Sequence, residues 1–200
     1  AVLTDHYIEL VNEKKPKNFS RMFYSTKLQK LPDNLNKIDT SSATSMGQMF
    51  YGFQSLTEQD IDLTWMNVSN VTDMNGMFEW STTIRSLNTT GWNTSKVQKM
   101  KNMFHGARGL TNLYLSHWNV SGCTDMSGMF NEASGLTSLD VSSWNTSSVT
   151  TMRDMFNGCG ATSINTKGWD TSKVTDMGAM FRNMKNITTL DLSNFDTSKV

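Results

Sequence analysis

One five-residue pattern, Met-x-x-Met-Phe, recurs at a nearly constant interval and constrains the fold more than any other feature. Six regular copies and one degenerate copy at residues 19–23 are separated by 25 to 28 residues. The regular copies end at Phe50, Phe78, Phe104, Phe130, Phe156 and Phe181. Together the copies contain 13 of the 15 methionines. A unit of about 26 residues cannot enclose a core alone, so this period predicts units that stack and share one core.

A second column of bulky residues lies 12 residues before each regular phenylalanine. The column holds Ile38, Met66, Trp92, Trp118, Trp144 and Trp169, and Phe195 begins the next round. Only bulk is common to these residues, which favours a buried ladder over an exposed platform for stacking sugars. The paired methionines share a face with phenylalanine, which favours core packing over a Cu(I) site. Trp65 and Trp80 lie outside the column, so we expect them to be more exposed and to be better ligand-contact candidates.

Each unit is predicted to contain a short strand, a polar turn and a short helix. Within residues 136–142, Leu139 and Val141 alternate with polar residues, which is typical of a strand with one inward face. Met126, Met129 and Phe130 are spaced at i, i+3 and i+4, which predicts one face of a helical turn. The Thr-Asp pair before several of these boxes is suited to capping that helix.

The two ends of the chain differ from the regular units. Tyr7, Ile8, Leu10 and Val11 form an apolar helical stripe, so residues 1–18 are predicted to be an N-terminal helical cap. Residues 19–200 are predicted to form the repeat region, with six to seven units and an incomplete last one. We expect further repeats in the full-length protein.

The repeat resembles that of the BspA-like leucine-rich-repeat surface proteins and of mycoplasma-type surface lipoproteins. The shared pattern is aromatic-Asp/Asn-Thr-Ser-x-Val-Thr-x-Met-x-x-Met-Phe, followed by Leu-x-x-Leu-Asp-Leu-Ser. Residues 169–177 and 190–193 match it closely, and the match covers roughly residues 38–200. The resemblance implies an α/β, right-handed leucine-rich-repeat-like solenoid with a parallel sheet on one face. It also implies protein binding, adhesion and an extracellular or cell-surface location, with a virion or particle surface as another setting.

Composition argues against several functional classes. Eighteen basic and 18 acidic residues balance, whereas nucleic-acid binders usually carry a basic excess. The sequence has no apolar run long enough to span a membrane. Cys123 and Cys159 fall in different columns and are expected to be free thiols. His6, His105 and His117 lack metal-ligand spacing, and no catalytic or phosphate-binding motif occurs. We therefore expect neither enzyme activity nor a cofactor or metal.

The outward positions of the predicted strands form the candidate binding surface, because repeat proteins present such a sheet to partners. This strand column holds Asp62, Asn88, Tyr114, Asp140, Asn165 and Asp191. It is polar and mildly acidic, with one central tyrosine, and tyrosine is a common interface anchor. A solvated strand face without a partner is the alternative, and an edge row that includes Lys96 and Lys173 is the alternative working face.

Three functions remain open at this point. The first is recognition of a host or other protein partner, as in an adhesin. The second is a structural subunit that contacts a neighbour within a larger extracellular or particle assembly. The third is binding of ice or polysaccharide by a threonine row, Thr94, Thr146, Thr171 and Thr197, which Val68 and Val120 interrupt.

Overall fold

The computed structural model describes residues 2–200. Its elements are helix α1 (Asp5–Lys14), a 3-10 turn at Leu35–Lys37, and strands β1 (Asp60–Asp62) and β2 (Ser86–Asn88). The two strands pair in parallel, with Asp60 opposite Ser86 and Asp62 opposite Asn88. A single bridge from Ser86 to Asn112 extends this pairing by one unit. Residues one repeat apart therefore lie side by side in β1, β2 and the segment at Asn112.

A second ladder of single parallel bridges runs beside the Met boxes, the name used here for the Met-x-x-Met-Phe segments. The bridged residues are Asn18, Ser45, Asp73, Lys99, Asp125, Thr151 and Asp176, each paired with the next. The pairing is in register across all these units because each spacing equals one repeat. The boxes are therefore stacked from the degenerate copy to the last regular one.

The Met boxes are chains of tight turns, so the predicted short helices are wrong. In one box, the Met129 amide donates to the Met126 carbonyl at 3.3 Å, and Gly128 between them has φ +62°. A positive φ at the third residue is what a type II turn requires. The amides of Gly128 and Phe130 donate to the next unit, to the carbonyls of Arg153 and Met155, each at 2.8 Å. A helix would need those amides internally, and two isolated helical turns are too short to be stable.

The strands are also shorter than predicted. Within residues 2–200 only β1 and β2 form strands, each three residues long, and the predicted strand at 136–142 is irregular. Asx turns at Asp62, Asn88 and Asp140 turn the backbone immediately after each of these segments and limit their length. Residues 136–142 differ from β1 and β2 because, within the described chain, no bridge pairs them with a neighbouring unit.

The methionines and phenylalanines of the boxes form the core, as predicted. Both methionines of the four central boxes are 0% exposed, and the phenylalanines from Phe50 to Phe156 are at most 1% exposed. Rings of adjacent boxes stack in offset fashion, with centroids 5.5 Å apart for Phe50 and Phe78 and 5.7 Å apart for Phe78 and Phe104. Each buried ring contributes roughly 2–3 kcal/mol of hydrophobic stabilisation.

The tryptophan column is buried, as predicted, and its polar atoms are satisfied. Trp92, Trp118, Trp144 and Trp169 are 2–4% exposed. Three of the four indole N–H groups donate to a backbone carbonyl of the preceding unit, and that of Trp118 donates to the Thr89 hydroxyl at 3.1 Å. An unpaired indole N–H would cost free energy at this depth, so the ladder depends on the register of the units.

Helix α1 lies against residues 37–39, near the start of the repeat region. Thr4 caps it by accepting from the Tyr7 amide, and Ile8 is its buried residue. Asn12 fixes its position, because its side chain donates to the Lys37 carbonyl and accepts from the Asp39 amide. The predicted stripe is only partly used, since Tyr7 and Leu10 are about two-fifths exposed at 40% and 42%. The boundary of a separate cap at residue 18 stays a prediction.

Candidate protein-interaction face

The acidic and amide residues of the strand column have a structural role. Asp62, Asn88, Asp140, Asn165 and Asp191 are all exposed. Each accepts, through its side-chain Oδ1, a hydrogen bond of 2.9–3.1 Å from the backbone amide two residues later. This is the Asx turn, which only Asp and Asn make readily. The backbone turn therefore accounts for the presence of Asp or Asn at five of the six predicted column positions.

Tyr114 is the exception in that column. A tyrosine cannot make the Asx turn, and its side chain is 74% exposed. Burying so large an aromatic surface is favourable, yet here it stands in solvent between two units that keep the turn-forming residues. This position therefore carries an exposed aromatic ring where the other five column residues carry a side chain that forms the turn.

A groove lies on each side of Tyr114. The first, of about 460 Å³, is bounded by β1 and β2 and reaches His117. The second, of about 380 Å³, lies between residues 112–116 and the Ser138–Asp140 region. No bridge within residues 2–200 joins the segments at 112 and 138, so the sheet is interrupted at the second groove. Tyr114 forms the ridge between the two grooves.

A third groove, of about 230 Å³, continues the face toward the N-terminus. It is lined by the loop around Leu31 and Pro32, by Trp65, and by β1, which also borders the first groove. Trp65 is half-buried against the core, so it is less exposed than expected but does line a surface groove. Three neighbouring grooves therefore form one face from the first turn of the chain to Asp140.

Most positive charge near this face is already neutralised. Arg85 donates through Nε to Asp60 Oδ1 at 3.1 Å and also bonds Asp60 Oδ2, while Lys30 pairs with Asp33 at 2.5 Å. The hydrogen bonds from Arg85 lower the pKa of Asp60. The Ser142 hydroxyl and amide likewise lower the pKa of Asp140. These two carboxylates remain charged at neutral pH, which leaves the face net negative.

The other candidate sites are accounted for by the structure. Trp80 is half-buried and lies 4.8 Å from the His105 ring, with the Arg108 guanidinium 5.2 Å from its centroid. Sequence reasoning missed this cluster, in which His105 Nδ1 lies 3.0 Å from Glu79 Oε1. The four residues come from two adjacent units, so only a column-by-column alignment could have revealed them.

Three of the four threonines in the row are buried and only the last, Thr197, is exposed, so the row does not form a surface and the ice- or polysaccharide-binding interpretation is wrong. Thr94, Thr146 and Thr171 are 0–1% exposed. Each hydroxyl donates to a backbone carbonyl of the next unit and accepts from the amide of the same residue. Threonine recurs here because one buried hydroxyl can satisfy two backbone groups of its neighbour.

Cys123 and Cys159 are free and buried, as predicted. Desolvation raises the pKa of Cys123 to about 12 and also raises the pKa of Cys159. Across residues 2–200 no group of three or more His, Cys, Asp or Glu side chains is placed to hold a metal ion. The same residues contain no helix long and apolar enough to cross a membrane.

Comparison with known proteins places the chain in a family but gives no function. No curated protein is significantly similar to it. Among solved structures, the T. pallidum leucine rich repeat protein aligns with 15% identity and a TM-score of 0.34, which is too low to assign a shared fold. That alignment covers 68% of this chain and 63% of the other protein, so the chain spans less than two thirds of its length. A family model matches residues 17–138 and 81–195. The chain therefore belongs to the family described as Mycoplasma protein of unknown function, DUF285.

Proposed function

We propose that this protein is a non-catalytic repeat protein that binds another protein through its strand column. The proposal includes a right-handed, BspA-like leucine-rich-repeat solenoid, displayed on a cell surface or outside the cell. Parallel ladders in register and the shared core support the solenoid. The one observation that carries the function is Tyr114, which is 74% exposed on a face whose other column residues form backbone turns.

At Tyr114 the column has an exposed ring in place of a stabilising backbone turn. Exposed aromatic residues are enriched where interfaces are anchored, because a large rigid ring buries much area at little entropic cost. Tyr114 stands between two grooves of about 460 and 380 Å³ that could receive neighbouring side chains of a partner. A ring that served only folding would be expected to pack against the core, as Trp118 does.

Site-specific photo-cross-linking tests this proposal. A benzoylphenylalanine at position 114, in cells that produce the protein, should form a covalent adduct with a partner. The same group at position 173 is the control, since Lys173 is also exposed but lies in the edge row. Adducts with a foreign or host protein at 114 alone would support recognition. Adducts only with the organism's own assembly would indicate the structural subunit instead, and adducts at 173 but not at 114 would contradict the strand column.

A further inference from the structure

We infer that the partner of this face presents an extended segment with Lys or Arg side chains, anchored beside the Tyr114 ring. The inference rests on the proposed function, because it specifies what the strand column binds. It is drawn from the shape of the three grooves, the exposure of Tyr114 and the charges that line them.

The shape favours an extended chain rather than a globular protrusion. The grooves follow one another across the units. The third and first grooves share β1, and the first and second grooves share Tyr114. Paired parallel segments are separated by about 4.8 Å, so the four steps from Asp33 to Asp140, of which only the two between Asp62 and Tyr114 are paired, span at least about 19 Å. An extended peptide rises about 3.3 Å per residue, so roughly six residues would fill that length.

The charges favour a cationic occupant. The carboxylates of Asp33, Glu58, Asp60, Asp62 and Asp140 line the grooves. Lys30 is the lining cation, and it is paired with Asp33, while Arg85 is paired with Asp60. Glu58, Asp62 and Asp140 are left without a cationic partner among residues 2–200. A partner with Lys or Arg would be attracted to this potential, whereas an acidic segment or a nucleic acid would be repelled.

Tyr114 supplies the contact that makes the site more than a charged surface. The face of a tyrosine ring attracts a Lys or Arg cation within about 6 Å of its centroid. Asp62 lies on one side of the ring across the first groove, and Asp140 lies on the other side across the second. A cation over the ring would thus have carboxylates in both directions. The Asx turns hold both carboxylates in place without using their second oxygens.

The column itself provides matched variants. Asp62→Asn and Asp140→Asn remove charge but keep a side-chain oxygen for the Asx turn, as native Asn88 and Asn165 do. Asp170→Asn and Asp196→Asn make the same change at another exposed Asx-turn column, where Ser172 and Ser198 donate the amides. The first pair faces the grooves, whereas Asp170 and Asp196 lie outside them, near Lys173 and Lys199. Tyr114→Ser removes the ring at an exposed position and should leave folding unchanged within about 0.5 kcal/mol.

The test is fluorescence anisotropy with a labelled nine-residue peptide of alternating Lys and Ser, compared with Gln-Ser and Glu-Ser peptides of equal length. We expect the Lys peptide to bind and the Glu peptide not to bind. Tyr114→Ser should weaken binding about 30-fold, as expected for an anchor residue. The Asp62→Asn, Asp140→Asn double variant should weaken it about five- to tenfold, and the Asp170→Asn, Asp196→Asn double variant should leave it unchanged. Raising the salt to 1 M should remove most of the difference between Lys and Gln peptides.

Four results would overturn the inference. Equal weakening by the two double variants would show that only overall charge matters. Tyr114-dependent binding of the Gln peptide as tight as that of the Lys peptide would reject the cationic class but leave the proposed function standing. Failure of all peptides would reject the extended cationic segment, and the photo-cross-link at 114 would then decide separately whether the face binds a protein. Self-association that Tyr114→Ser abolishes, seen by analytical ultracentrifugation, would identify a second copy as the occupant instead.

Discussion

The buried threonine row offers the sharpest test of how the units hold one another. Thr146 is 0% exposed, its hydroxyl donates to the Asp170 carbonyl at 2.9 Å, and it accepts from the Asp170 amide at 3.0 Å. Val120 occupies the equivalent position one unit earlier and is 1% exposed. The same position of the repeat therefore holds a hydrogen-bonding threonine in one unit and an apolar valine in another. Thr146→Val and Val120→Thr exchange them with little change in volume.

The expected effects follow from the hydrogen bonds that each change removes or adds. Thr146→Val removes two bonds, each with a net contribution of about 1 kcal/mol, and leaves the amide and carbonyl of Asp170 without that partner. The added methyl group offsets part of the loss, so we expect destabilisation of about 1–2 kcal/mol. Val120→Thr places a hydroxyl where it can bond the backbone of Asn145, so we expect a change between zero and about 1 kcal/mol of stabilisation.

Urea unfolding followed by both tryptophan fluorescence and circular dichroism measures these changes, and coincident transitions justify a two-state treatment. For a chain of this length, 1 kcal/mol corresponds to about 2–4 °C in Tm, so Thr146→Val should lower Tm by about 2–8 °C. The reasoning would be refuted if Thr146→Val stayed within about 0.3 kcal/mol of the wild type while Val120→Thr was destabilised by more than about 1 kcal/mol.

Three other predictions concern the core, the thiols and the turns. Phe104→Ala should reduce the free energy of unfolding by about 3–5 kcal/mol because the ring is 0% exposed, and a loss below about 1 kcal/mol in urea unfolding would contradict a shared core. Cys123, whose pKa burial raises to about 12, should react with a thiol reagent at pH 8 only as fast as the protein unfolds; rapid labelling of the native protein would contradict this. Hydrogen bonds from Ser142 lower the pKa of Asp140 in the folded state, so its contribution is present above the unfolded value of 3.8 and is lost as pH falls through the lower folded value. Thermal melts between pH 6 and 2 should therefore show a smaller loss of stability for Asp140→Asn than for the wild type, and identical losses would contradict the assigned turn.

The core was predictable because large side chains that recur at a fixed period are most simply explained by burial. Trp118 and Trp144 share a position with Ile38, and only burial suits all three. The Met boxes were predicted incorrectly because a spacing of i, i+3 and i+4 fits both a helical turn and a pair of tight turns. The distinction depends on amides that bond a unit about 26 residues away, which no local pattern records.

A local signal for those turns was nevertheless present. The third residue of the boxes is Gly76, Asn102, Gly128 and Asp154 in four successive copies, and all four have φ between +56° and +62°. Glycine, asparagine and aspartate adopt positive φ most easily, so their recurrence there favours a turn over a helix. Similarly, Asp or Asn recurs at five of the six strand-column positions, in four of them two residues before Ser or Thr, and this recurrence indicates Asx turns. The groove beside Tyr114 has no such signal, because it depends on where pairing between neighbouring units stops.

Most backbone bonds between adjacent units on the Met-box side point in one direction along the stack. The residue two positions before each box donates in the opposite direction, as Thr72 does to the Thr44 carbonyl. At each contact, four amides of one unit donate to four carbonyls of the next, as with Met46, Gln48, Phe50 and Gly52 toward residues 73–79. Each peptide carries a dipole of about 3.5 D, and aligned dipoles add, as they do in a helix. The box side of the stack therefore has a permanent electrical polarity, positive toward higher residue numbers, that the formal charge of zero conceals. Adding or removing a unit would change the length of this dipole but not its direction.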